Sequence, residues 1–139
     1  MNELAKIRSD PMPEAMRVLL QDYPRDSWEA NPYFKQATQN WLGAHQMFRQ
    51  LADHVRVETE RYLDRNRAPN DYAPQLSYYG GALVRNLHGH HGWEDHSYFP
   101  ELSAADPRFD AGLEILEKDH EALDGCLIVL QKLPTGRSN

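Results

Sequence analysis

Apolar residues recur at spacings of three and four through three long stretches of the chain, and nowhere do they alternate with polar ones over the length of a strand. In the first stretch, residues 33–66, Trp41, Ala44, Phe48, Leu51, Ala52, Val55, Tyr62 and Leu63 share one face, and Gly43 is the single helix-weakening residue. Asn31-Pro32 ahead of it is a start signal, a capping side chain followed by a proline whose fixed φ suits a first helical turn. Residues 65–74, with two prolines, read as a connection. Leu76, Leu83 and Leu87 then open a second stripe, interrupted by Gly80, Gly81, Gly89 and Gly92. Each glycine costs roughly 1 kcal/mol relative to alanine in a helix, so this helix is expected either to kink or to bring its backbone close to something. Pro100 is expected to bend or end it.

Asp106-Pro107 starts a last helix with the stripe Leu113, Leu116, Leu123, Leu127 and Leu130, and Leu133-Pro134 ends it. Near the N-terminus, Asp10-Pro11 and the stop at Tyr23-Pro24 bracket a short helix over residues 10–22, carrying Met12, Ala15, Met16, Leu19 and Leu20. The expected class is all-α, one short N-terminal helix plus three long ones. Residues 1–30 hold the short helix and a linker, 31–134 the helical domain, and 135–139 a small polar tail.

Composition narrows the function classes. A chain of 139 residues suits one domain. A net charge of -6 and a pI near 5.6 argue against nucleic acid, which needs a basic surface to displace counterions, and disfavour acidic substrates. The lone Cys126 excludes an intramolecular disulfide, and no basic-then-apolar signal segment opens the chain, so the expected location is cytoplasmic. No window approaches the roughly 18 apolar residues that span a bilayer.

The chemistry concentrates in residues 88–102, which hold four of the seven histidines beside a Glu-Asp pair. At about 100° per residue, with Leu83 as the reference direction, His90 and Glu94 each fall within about 20° of the buried seam. His91 falls about 80° away, and His88 and His96 about 140°. On the last helix, with Leu113 as reference, His120 and Asp124 lie within about 20° of the seam. On the first, His45 lies among Trp41, Ala44 and Phe48, whereas His54 falls about 180° away. One inward histidine is more often a hydrogen-bonded core residue than a ligand. Three of them, two with a carboxylate one turn later, weigh the other way, because a carboxylate buried among leucines is costly unless paired or coordinated. The set His45, His90, Glu94, His120 and Asp124 suits iron, manganese or zinc. His91 stays undecided, within reach if the helix kinks. Phe48, Trp93, Tyr98 and Phe99 either wall a pocket or pack the core.

These residues resemble the hemerythrin-like, or HHE cation-binding, family. The likeness rests on His90-x3-Glu94 followed by Tyr98-Phe99-Pro100-Glu101-Leu102, on Lys118-Asp119-His120-Glu121 among leucines, and on His45 in a preceding helix. It covers roughly residues 35–130. It implies an up-and-down helical bundle around a non-heme di-iron centre, with His45, His90, Glu94 and His120 at family ligand positions, and dioxygen, nitric oxide, peroxide or iron as what is bound or sensed. The family usually carries a histidine where this chain has Asp124, and a fourth long helix with another histidine and carboxylate that has no counterpart here. The short N-terminal helix, a longer parent chain or a second copy forming a homodimer are the open sources for that face, and nuclearity stays open with it.

The leading expectation is therefore an iron-binding domain with a small diatomic ligand or peroxide as partner, a metal or oxygen binder rather than an enzyme. The alternative is a metal-free helical interaction or regulatory module that dimerises through its seam. A metal-dependent hydrolase or thiol transferase is a weaker third, since Glu121 falls off the seam and no general base stands out.

Overall fold

The computed structural model describes residues 11–17 and 19–132, and every regular element among them is helical. Helix α1 spans Gln36–Leu63. A second helical stretch runs in five pieces: α2 (Pro69–Gln75), a wide π turn (Leu76–Gly80), α3 (Gly81–Trp93), a second π turn (Glu94–Tyr98) and α4 (Phe99–Ala105). Helix α5 spans Asp110–Lys132. None of these helices is long and apolar enough to cross a membrane.

The expected N-terminal helix is corrected. Asp10 lies outside the described residues, and in place of a helix to residue 22 there is one 3-10 turn, Glu14–Met16. Leu19 has a φ of 64°, and a left-handed residue cannot continue a right-handed helix. The layout among the described residues is three long helical stretches without a short α-helix before them.

The start and stop signals act close to their expected places. Asn31 Oδ1 accepts from the Tyr33 amide at 2.9 Å, so Asn-Pro forms a turn and α1 begins shortly after it. The end of α1 closes on Arg65, whose φ is 60°: the Asn66 amide reaches Arg61 O at 2.8 Å and the Arg65 amide reaches Tyr62 O at 3.0 Å, the double bond of a Schellman cap. Asp106 Oδ1 accepts from the Arg108 amide at 3.0 Å, and α5 follows one 3-10 turn later.

Pro100 does not end its helix. Each π turn lies two residues from a proline, the first after Pro74 and the second before Pro100. A proline lacks an amide hydrogen and its ring crowds the carbonyl four residues back; the second π turn contains that residue, His96, and its widening relieves the conflict with Pro100 without breaking the rod. Of the four glycines, a Cβ at Gly89 or Gly92 would meet open space, whereas at Gly80 and Gly81 it would meet side chains of the same helical stretch, Leu76 Cδ1 at 3.4 Å and Arg85 Nη1 at 3.0 Å. The close approach to backbone is at Gly112, where a Cβ would stand 2.7 Å from Ala15 O.

The chain divides into two compact units, Met1–Phe34 with Gly89–Ile128, and Lys35–His88 with Val129–Asn139. In the second, α1 faces α2 and the first π turn. Tyr62 stacks on Tyr72 with centroids 4.4 Å apart, Tyr72 and Thr59 share a hydroxyl hydrogen bond of 2.9 Å, and Glu58 pairs with Arg61 at 2.9 Å and Arg67 at 3.2 Å. Phe48, Leu83 and Val84 are buried there. His54 is half-buried, its ring 4.5 Å from that of Tyr79, instead of lying on the surface. In the first unit Tyr98, Phe99 and Leu127 are buried, and Trp93 stacks on Tyr98 at 4.9 Å. Several stripe positions are corrected: Ala52, Tyr62, Leu63 and Leu130 of the long helices are exposed, as are Met12 and Leu20 near the N-terminus.

Candidate metal centre

The first unit encloses a carboxylate. Glu94, the opening residue of the second π turn, is 1% exposed, and its two oxygens go to imidazoles of different helices. Oε1 lies 2.8 Å from His90 Nε2, one turn back on α3, and Oε2 lies 3.1 Å from His120 Nε2 on α5. Burying a charge this deeply is costly unless opposite charge or a cation meets it, so the two imidazoles are what the carboxylate requires. The other edge of the His120 ring is held too, with Nδ1 2.8 Å from Asp95 Oδ1.

A second imidazole of α3 faces His120. The His91 ring stacks on it with centroids 4.1 Å apart and planes 12° from parallel, and the Phe99 ring lies 5.6 Å from His120 at 16°. His91 is 6% exposed, and its Nδ1 lies 3.6 Å from Asp124 Oδ1. That separation exceeds a hydrogen bond, and Nδ1 has no hydrogen-bond partner among the described residues.

The stacked pair is split electrostatically. Burial opposes a charge on His120, but hydrogen bonds to Glu94 and Asp95 outweigh it and raise its pKa. On His91, burial first and the charge of His120 second lower the pKa, against the pull of Asp124 and Glu94. The charged form is thus favoured on one ring and the neutral form on its neighbour.

Among the expected site residues, His90, Glu94 and His120 come together, and Asp124 stands beside His91. His45 belongs to the second unit, where its Nδ1 lies 2.7 Å from Trp41 O and its ring meets Trp41 edge-on at 5.2 Å. Phe48, offered as a pocket wall, is buried in that unit as well. His88 and His96 are exposed. Two residues at the centre escaped the sequence reading, His91 in part and Asp95 altogether. The count of directions took Leu83 alone as its reference, whereas Val84 is buried as well, and His91 lies only about 20° from Val84. The available signal was the doublet itself: His91 and Asp95 repeat, one residue on, the four-residue spacing of His90 and Glu94.

The residues fit a cation. His91 and Glu94 are buried, the His120 side chain is 12% exposed, and each offers a ligand atom within 4.8 Å of the others'. A buried carboxylate among imidazoles, with a buried ring nitrogen left over, is a donor set for a divalent transition ion. Fold and site together define a helical protein with a buried imidazole and carboxylate centre. The chain belongs to the hemerythrin family: the family model described as Hemerythrin HHE cation binding domain matches residues 36–138. No curated protein and no solved structure matches the chain.

Proposed function

We infer that this chain binds iron at a centre containing His90, Glu94 and His120, with Asp124 supplying further negative charge, and presents it to a small ligand such as dioxygen, nitric oxide or peroxide. The observation that carries the reading is Glu94, a carboxylate 1% exposed with an imidazole nitrogen at each oxygen. Membership of a cation-binding family supports it. Iron supplies a redox couple and a coordination position for the small ligand.

The chain's own residues do the rest. Glu94 sets the position of two imidazoles at once, and Asp95 fixes the ring of His120 by its far nitrogen, so that Nε2 is the atom facing Glu94. Phe99, 2% exposed, closes the ring side of His120 with apolar surface and excludes water there. A cytoplasmic setting and a second copy as partner belong to the same reading.

Protein produced with iron under anaerobic, reducing conditions is expected to carry bound iron and a visible spectrum that changes on exposure to nitric oxide, and Glu94→Ala is expected to lose the metal. Native mass measurement of the same sample reads metal and chain stoichiometry together. A wild-type sample without transition metal under these conditions rules the reading out.

A further inference from the structure

His91 is the imidazole that the family resemblance leaves without a role. Its side chain is 7% exposed, against 10% for His90 and 12% for His120. Buried polar atoms in folded proteins are nearly always hydrogen-bonded, and an exception calls for an explanation. His91 Nδ1 is shut away from solvent with no hydrogen-bond partner among the described residues, and Asp124 Oδ1, at 3.6 Å, is too distant to serve as one.

The surroundings of the ring supply a use for it. It stacks face to face on His120, which touches Glu94, and the three residues bring ligand atoms within 4.8 Å of one another, Glu94 and His91 buried and the His120 side chain 12% exposed. All three belong to the stretch Gly89–Ile128 of one unit. Two imidazoles and one carboxylate, with no thiolate, suit iron(II), manganese(II) or zinc.

We propose that His91 is a metal ligand, combining with Glu94 and His120 to hold one divalent transition-metal ion. This rests on the metal-binding reading above and adds to it a ligand one residue beyond His90.

The test is a cobalt(II) titration of metal-free wild type, His91→Asn, His91→Ala and the surface control His96→Ala, followed by the visible d–d bands and by competition with a chelator. Wild type and His96→Ala are expected to take up one ion per chain at the same affinity. Both His91 variants are expected to bind about tenfold or more weakly, with altered bands. Far-UV circular dichroism of the metal-free proteins checks folding. Should both variants fail to fold, side-chain nitrogen NMR of the wild type decides, with zinc expected to shift a ring nitrogen of His91 at one equivalent. Wild-type binding with unaltered affinity and bands in His91→Asn, or His91 nitrogens unmoved by zinc, overturns the proposal and leaves the metal-binding reading standing. A wild type that takes up no ion overturns both.

Discussion

Asp95 Oδ1 lies 2.8 Å from His120 Nδ1 while Glu94 Oε2 lies 3.1 Å from Nε2 of the same ring, so two consecutive carboxylates grip both edges of one imidazole. The grip comes from a single backbone segment at the start of a π turn, and the ring it holds comes from α5. Ring orientation is therefore set by the protein before any cation arrives, and the proton on Nδ1 is directed to Asp95.

Removing the far grip tests that role. Asp95→Ala is expected to lower metal affinity by about 10- to 100-fold with helical content unchanged. Asp95→Asn, which keeps an acceptor oxygen for the Nδ1 proton, is expected to recover part of it. Competition titration against a chelator measures both; an Asp95→Ala protein with wild-type affinity assigns the contact to packing alone.

Proton binding at His120 is linked to folding of the metal-free protein. Despite opposing burial, Glu94 and Asp95 hold its pKa above the ordinary value of 6.5, which the unfolded chain has. The folded state thus binds the extra proton between the two values, and its advantage is complete below 6.5 and lost as pH rises through the raised value. His91 has the opposite sign: its pKa is lowered, so its contribution is present above 6.5 and is lost as pH falls below it. In chelator-treated samples the stability gap between wild type and His120→Gln is expected to narrow from about pH 6 to about pH 8 in urea unfolding. A gap that stays constant or widens contradicts the hold on the His120 proton.

Gly112 carries the packing of the N-terminal segment on α5. Gly112→Ala sets a Cβ 2.7 Å from Ala15 O and 3.4 Å from its carbonyl carbon, and backbone atoms cannot swing aside as a flexible side chain does. The expected result is a loss of about 1–3 kcal/mol, in spite of alanine's better helix propensity. Gly125→Ala in the same helix meets nothing within 4 Å and is expected to gain up to about 1 kcal/mol. Urea unfolding of the two variants side by side separates them; a stabilised Gly112→Ala contradicts the contact with Ala15.

The long helices were legible because their leucines and aromatics keep one direction over many turns and because Asn31, Asp106 and the prolines punctuate them. The convergence of His90, Glu94 and His120 was legible for the same reason, a four-residue spacing inside an apolar stripe. What failed depended on information that a stripe does not contain. The N-terminal stripe of Ala15, Met16 and Leu19 is compatible with a helix, but Leu19 adopts a left-handed φ that no local pattern announces. The direction of His91 was misjudged because one leucine stood for a face that Val84 also helps define. The π turns were invisible to a count at a fixed angle per residue, although Pro74 and Pro100 marked their neighbourhoods.

The second π turn makes the centre and its aromatic wall separable in descent. The widened turn stores one residue more than an ordinary helix needs between Glu94 and Phe99. Losing that residue would swing α4 by about 100°, carrying Phe99 off the face of His120, while His90, His91 and Glu94 upstream kept their phase. A lineage can in this way change the aromatic neighbour of the centre by a single deletion or insertion without rewriting the imidazoles and the carboxylate themselves.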